Sequence, residues 1–324
     1  MTVDPGLREM MTSVLAGHGP STPVRPLWDT LRSVGLDRLT TPVERGGSGA
    51  GWPEAAALLR TAAFHGVPLP LAENDLLAGR LLQEADLPTD DALRTACVLD
   101  GEGTAHAVPW ARAADRVTAL LPADGAWHVL DVPSSSVRIA HGTNLAGEPR
   151  DDVRVSLDSA QATPVGAHVV EDFMLRGALA RSLQMTGAME RTLRLSVDHA
   201  KTRTQFGRPL ARFQAVQHLV ADIAAEAALA TAAADAAVRG RPALFDVAVA
   251  KSAAANAAAT IVRNAHQVHG AIGTTIEHPL HAFTLALTAW GSEFGSAHDW
   301  NERLMTTAVA ADDDLWRLIT DASR

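Results

Sequence analysis

Residues 203–217 read Arg-Thr-Gln-Phe-Gly-Arg-Pro-Leu-Ala-Arg-Phe-Gln-Ala-Val-Gln. The stretch lies between two segments with helical periodicity, since apolar residues recur every three to five positions over 169–202 and again over 213–238. Gly207 and Pro209 interrupt the pattern, because glycine tolerates a positive φ and proline has no backbone N–H. The sequence therefore predicts two long helices joined at a sharp corner that carries arginine, phenylalanine and glutamine side chains.

Such a corner suits a phosphate and a flat ring. Arginine grips phosphate through its planar fork, and amides can read the edge of a base or a ribose. The alternative, on spacing alone, is a plain helix hairpin with solvated arginines, since arginine is common near helix C-termini.

A family resemblance favours the binding interpretation. The pattern Arg-x-x-Phe-Gly-x-Pro-Leu-x-x-Phe-Gln-x-x-Gln resembles the signature of the acyl-CoA dehydrogenase family in its C-terminal helical domain. The resemblance implies that this segment holds FAD across a subunit interface. Arg203 would face the pyrophosphate or adenylate, Phe206 and Phe213 would flank the adenine, and Gln214 would hydrogen-bond to it.

A second stretch, residues 267–279, reads Gln-Val-His-Gly-Ala-Ile-Gly-Thr-Thr-Ile-Glu-His-Pro. Taken alone, its glycines indicate a helix cap and a turn. It resembles the family pattern Gln-x-x-Gly-Gly-x-Gly-x-x-x-Glu-x-Pro, which implies that Gln267, Gly270 and Ala271 approach the FAD of the opposing subunit. Ala271 replaces the second glycine of the pair, which departs from the pattern.

The chain changes character twice. Residues 1–95 read as helices, 96–166 as short alternating runs separated by Gly, Pro, Asp and Ser, and 167–324 as helices again. We predict a mainly α protein with a small β domain. The resemblance implies an N-terminal helical domain, a truncated central β domain and a C-terminal four-helix bundle. Residues 42–53 support it, because they resemble the family's Pro-Glu-x-x-Gly-Gly-x-Gly loop before a long helix.

The catalytic base is the main departure from the family. The resemblance implies a glutamate that removes the α-proton of an acyl-CoA while hydride leaves Cβ for the flavin. Its two known family locations fall on Phe294, in a Phe-Gly-Ser step, and on Gly177. Neither is a carboxylate. Glu293 and Glu277 remain as weak candidates for the base, and Ser296 is kept as a candidate flavin contact.

Three hypotheses follow. The first is a subunit of an FAD-dependent acyl-CoA dehydrogenase that works together with a full-length subunit in a heterotetramer. Some actinobacterial members of the family, including those that act in sterol catabolism, look like such pairs. The second is an active homo-oligomer whose base is Glu293 or Glu277. The third is a flavin-free scaffold or regulatory paralogue. The identity of the acyl chain is not predicted.

Composition limits the partners and the compartment. The 324 residues carry 28 basic and 37 acidic side chains, a formal net charge of −9, which disfavours nucleic acid. We expect a cytoplasmic protein without a membrane span or signal peptide, and Cys97 as a small core residue. The histidines are scattered without a ligand spacing such as His-x-x-x-His, so no metal site is predicted.

Overall fold

The computed structural model describes residues 3–157, 160–311, 314, 316–317 and 320. Its N-terminal part is helical, as predicted. Four α-helices and one π-helical segment follow one another there: α1 Pro5–Leu15, α2 Val24–Ser33, α3 Trp52–His65, the π-helical segment Ala72–Gly79 and α4 Arg80–Glu84.

Local sequence explains where α3 begins. The Glu54 carboxylate accepts a hydrogen bond of 3.0 Å from the N–H of Gly51, which satisfies one donor at the helix start. Pro53 lies in the first turn, where its missing N–H costs nothing. The glycine-rich loop before it is therefore the lead-in to a helix, as the sequence indicated.

Short strands form the middle of the chain. They are β1 Arg94–Val98, β2 Thr104–Pro109, β3 Arg116–Ala123, β4 Ala126–Pro133, β5 Val137–Ala140, β6 Arg150–Val155 and β7 Thr163–Val165. One sheet has the order β1-β3-β4-β7, with β1 and β3 parallel, and the other has the order β2-β6-β5. The predicted small β region is confirmed, whereas β7 had no sequence signal and β1 begins at Arg94, before the predicted boundary at residue 96.

The C-terminal part is a bundle of long helices. It contains α5 His168–Thr202, α6 Gln214–Ala237, α7 Leu244–His269, α8 Leu280–Ser292 and α9 Ala297–Ala311. Alanines such as Ala230, Ala254 and Ala257 are completely buried between α5, α6 and α7. Small side chains let the helix backbones approach closely, which explains the alanine-rich composition of these segments.

One segment of the bundle, Leu244–Thr274, is long and apolar enough to cross a membrane by length and composition. From the sequence we expected no segment that could span a membrane. Half of its apolar window is buried inside the structure, because α7 packs against α5, α6, α8 and α9. We therefore treat α7 as the core helix of the bundle.

Candidate functional site

The corner between α5 and α6 is a tight hairpin. Arg203 ends α5 in an extended conformation, and its carbonyl oxygen accepts a hydrogen bond of 2.9 Å from the N–H of Leu210. Strands β8 Thr204–Gln205 and β9 Arg208–Pro209 pair across this turn. The two residues between them, Phe206 and Gly207, both have positive φ, at 52° and 77°. This two-residue turn matches the twist of a hairpin.

The hairpin presents an aromatic surface to solvent. Phe206 is 89% exposed, and its ring centroid lies 6.1 Å from that of Phe213. The guanidinium carbon of Arg208 lies 4.2 Å from the centre of the Phe213 ring. Arg203 and Gln214 are also exposed. The structure thus brings the four residues of the first motif to one corner, where Phe213 is half-buried and the other three are exposed.

The second motif lies at the same end of the bundle. Gln267 is in the last turn of α7, and Gly270 follows the helix with a φ of 65°. Gln267, Gly270 and Ala271 are all exposed. The two motifs are joined by His199 of α5 and His269 of α7, whose rings stack with centroids 4.5 Å apart.

Ser296 lies elsewhere. It precedes α9, where its N–H and Oγ–H both donate to the Asp299 carboxylate at 2.8 Å. The second motif leads into α8, whose 13 residues separate it from Ser296 by about 20 Å at the usual rise per residue. Within one chain, Ser296 is therefore remote from the other candidate flavin contacts and acts as a helix cap.

The two positions at which the family places its base adjoin each other. A Cβ added at Gly177 of α5 would overlap the ring of Phe294. That ring also lies 6.0 Å from the ring of Phe173, and the Arg181 guanidinium carbon lies 5.7 Å from its centre. Phe294 thus fills the space that a carboxylate at either position would need.

Glu293, the neighbouring carboxylate, is held in place by cations. Its oxygens accept hydrogen bonds from Arg181 Nε at 2.6 Å, from two Arg150 nitrogens at 2.8 and 2.9 Å, and from Asn144 at 3.1 Å. Burial alone would raise the pKa of Glu293, but the charges of Arg181 and Arg150 outweigh it and lower the pKa below its ordinary value. Glu293 lies in extended backbone just after α8.

Glu277 is at the other end of α8. It is exposed, and hydrogen bonds from its own backbone N–H and from Thr275 lower its pKa. Phe294 follows α8 and Glu277 precedes it, so Glu277 is also about 20 Å from the family's base position.

The structure contains a cluster of histidines that was not predicted from the sequence. His199, His269 and His278 come together, although about 70 residues separate the first two. No spacing motif signals such a group, because its members belong to different elements.

Comparisons with known proteins show which family this chain resembles in sequence. A family model described as "Acyl-CoA dehydrogenase, C-terminal domain" matches residues 165–291. The chain is 31% identical over 296 residues to acyl-CoA dehydrogenase IpdE2 of Mycobacterium tuberculosis, covering 86% of this chain and 88% of that relative.

Solved structures share the fold. The ChsE4-ChsE5 complex from Mycobacterium tuberculosis matches with a TM-score of 0.84 and 23% identity, over 95% of this chain and 98% of that chain. A variant of the Tcur3481-Tcur3483 steroid ACAD matches with a TM-score of 0.80 and 20% identity, over 95% and 98%. The predicted fold, helices on either side of a small β region, is confirmed.

Proposed function

The chain belongs to the acyl-CoA dehydrogenase family, and we propose that it is a subunit of an FAD-dependent acyl-CoA dehydrogenase that is not catalytically sufficient alone. A full-length subunit of the same family would supply the catalytic glutamate and the site for the flavin ring. This chain would bind the adenine and pyrophosphate end of that FAD across the interface. Such a complex is expected in the cytoplasm and acts on an acyl-CoA thioester.

The observation that carries the proposal is the environment of Phe294. The reaction of the family needs a carboxylate that takes the α-proton of the substrate. The Phe294 ring cannot accept a proton, and it occupies the space beside Gly177 where the alternative glutamate would lie. Glu293 is a poor substitute, because its oxygens already accept four hydrogen bonds and its pKa is lowered.

The exposed motif residues suit one half of the cofactor. FAD, when bound, supplies the hydride acceptor of the reaction. Towards its nucleotide end, this chain offers the guanidinium of Arg203 and the exposed ring of Phe206. It also offers the first turn of α6, where Gln214 lies and where N–H groups attract anions. The base position carries Phe294 in place of a carboxylate, so we assign only nucleotide binding to this chain.

An apolar groove beside the hairpin supports a partner subunit at this face. The groove, between the end of α5 and the start of α6, has a volume of about 400 Å³. Its walls are almost entirely apolar: Leu193, Val197, Ala200, Lys201, Ala211, Val216, Gln217, Val220, Ala221 and Ala224. Because it is continuous with the predicted flavin contacts, we assign it to the full-length subunit. The similar ChsE4-ChsE5 structure is itself a complex.

The proposal is tested by purifying the chain alone and together with a co-expressed full-length homologue from the same organism. We expect flavin absorbance and acyl-CoA dehydrogenation from the complex, measured with an artificial electron acceptor. The isolated chain should show neither. Turnover by the isolated, flavin-containing chain would refute the proposal and favour a homomeric enzyme.

Arg203→Ala tests the nucleotide contact. Losing a hydrogen-bonding cation costs about 1.5–3 kcal/mol, so the affinity of the complex for FAD should fall about 10- to 100-fold, as measured by flavin release on dilution. Arg212→Ala is the matched control, since Arg212 is an exposed arginine of the same stretch at a position that the family pattern leaves unspecified. Unchanged FAD content and activity with Arg203→Ala would favour a scaffold role.

A further inference from the structure

Three histidine rings meet at the end of the bundle that carries both motifs. His199 lies in the last turn of α5, His269 is the last residue of α7, and His278 precedes α8. One ring nitrogen from each lies within 4.8 Å of the others. The centroids of His269 and His278 are 4.7 Å apart, and those of His199 and His278 are 6.1 Å apart. Three separate elements thus bring their imidazoles together, with the rings of His199 and His269 stacked.

The buried member of the cluster has a nitrogen without a partner. His269 is only 6% exposed. Its Nδ1 lies 2.7 Å from the carbonyl oxygen of Ala265, and because that oxygen can only accept, Nδ1 carries the proton. Nε2 is then a lone pair, and it has no hydrogen-bond partner within the described part of the chain. Metal-bound histidines typically show this arrangement, with one ring N–H fixed by a backbone carbonyl.

Burial favours the neutral form of all three rings. Burial is the main cause that lowers the pKa of His269 to about 4, and burial also lowers the pKa values of His199 and His278. The charged or titratable groups that act on them are Arg203, His266 and His281, which lower the same values further. Neutral rings leave lone pairs free for a cation, and metals bind histidine in this form.

Binding requires small movements only. Zinc binds imidazole nitrogen at about 2.0–2.1 Å, which places tetrahedral ligand atoms about 3.4 Å apart. His199 and His278 are half-buried, so their rings have room to turn. The Nδ1 of His278 would give up a hydrogen bond of 3.2 Å from the N–H of Leu280. Leu280 starts α8, where backbone donors are ordinarily satisfied by caps or water.

We propose that His199, His269 and His278 form a binding site for a divalent transition-metal ion such as Zn²⁺, with its fourth position open to solvent. A three-histidine set favours zinc, copper, nickel or cobalt over the hard ions calcium and magnesium, which prefer oxygen ligands. The proposal does not depend on flavin binding. It places a metal two residues from Gln267 and four residues from Arg203 in sequence, so an occupied site would fix the geometry of both motifs.

The test uses the full chain without a polyhistidine tag, stripped with a chelator and titrated with Zn²⁺ by calorimetry. We expect one ion per chain. His199→Ala and His278→Ala should each weaken binding at least about 10-fold, because loss of an outer-shell partner alone costs 10- to 100-fold. Both histidines are half-buried, so the variants should remain folded, as checked by circular dichroism.

His218→Ala is the matched control, since His218 is an exposed histidine on α6 outside the cluster. The affinity of the His218→Ala variant for Zn²⁺ should equal that of the unmodified chain. Co²⁺ in place of Zn²⁺ should give the visible absorbance of a tetrahedral site, and this absorbance should be lost in His278→Ala. Absence of stoichiometric binding, or equal affinity in all variants, would overturn the proposal.

Discussion

Two phenylalanines share a rare backbone conformation. Phe206 and Phe294 have φ values of 52° and 56°, a region that bulky residues avoid and keep only when their surroundings enforce it. Phe294 has such surroundings, because its ring fills the space at Gly177 and its carbonyl accepts a hydrogen bond of 2.9 Å from Trp300. Phe206 is exposed on the hairpin, and its ring centroid lies 6.1 Å from that of Phe213. The strained backbone at Phe206 places this ring in solvent, which favours a partner subunit that covers it.

Replacing Phe206 by asparagine tests this interpretation. Asparagine tolerates positive φ, so we expect the isolated chain to be more stable by up to about 1 kcal/mol in urea unfolding. The same variant should weaken FAD retention in the complex, because the ring is lost. A variant that destabilised the isolated chain would show that the exposed ring contributes to folding.

At the scale of elements, the π-helical segment Ala72–Gly79 is the least expected feature. The sequence predicts an ordinary helix there. Instead Glu73, Asn74 and Asp75 are buried in succession and meet different partners: Arg181, the N–H of Arg94 and the N–H groups of Thr40 and Thr41. The wider π turn is commonly found at functional sites. Here it lets three consecutive polar side chains each reach a hydrogen-bond partner.

Helix α8 is held at its end by the buried Lys251 of α7. Its Nζ donates to the carbonyl oxygens of Trp290 and Gly291 at 2.6 and 3.1 Å. Burial, followed by the charge of Arg181, lowers the pKa of Lys251 to about 7. The unfolded chain keeps this proton to about pH 10.4. Stability therefore rises between these two pH values, because the unfolded state binds more protons there.

Lys251→Met should remove that rise. We expect the free energy of unfolding of the unmodified chain to increase from pH 7 to 10 relative to the variant, by up to a few kcal/mol. Lys201→Met is the control, since Lys201 is the other lysine of the chain and is exposed. Parallel pH profiles for Lys251→Met and the unmodified chain would contradict the assignment.

At the scale of the whole molecule, one buried ionic network joins the three parts of the chain. Arg181 of α5 donates to Glu73 of the π-helical segment at 2.5 Å and to Glu293 at 2.6 Å. Glu293 in turn binds Arg150 of β6, which also binds Glu148 at 3.0 Å. Removing one partner from such a network leaves a buried charge uncompensated. Through Arg181 and Glu293 the network therefore links the N-terminal helices, the β region and the C-terminal bundle.

Glu293→Gln should lower the free energy of unfolding by about 3 kcal/mol. Because the folded-state pKa is lowered, this contribution is present above the unfolded pKa, near 4.5, and is lost as the pH falls below it. Glu277→Gln is the exposed control and should change stability by less than about 0.5 kcal/mol.

The same variant separates a structural from a catalytic role. In the complex with a full-length partner, Glu293→Gln should retain turnover as long as it is folded. A fall of several orders of magnitude in rate without loss of folding would identify Glu293 as the base.

Most of the helices, most of the short strands and the two motif corners were predicted from local sequence, whereas β7 and the π-helical segment were not. The predicted elements depend on local periodicity, turn residues and caps, and neighbours along the chain suffice to specify them. The family resemblance implies that Phe294 and Gly177 stand at the two positions of the family's glutamate. The family resemblance rested on the same local patterns.

Which remote residues come into contact depends on tertiary packing. The Phe294 ring closes against Gly177, Glu293 is neutralised by arginines from β6 and α5, and His199, His269 and His278 converge from three elements. Apart from His269 and His278, the residues that meet lie tens to more than a hundred positions apart in sequence, so no spacing rule links them. Burial and charge at such a site arise from packing, and packing brings together faces of helices and strands that the sequence order keeps separate.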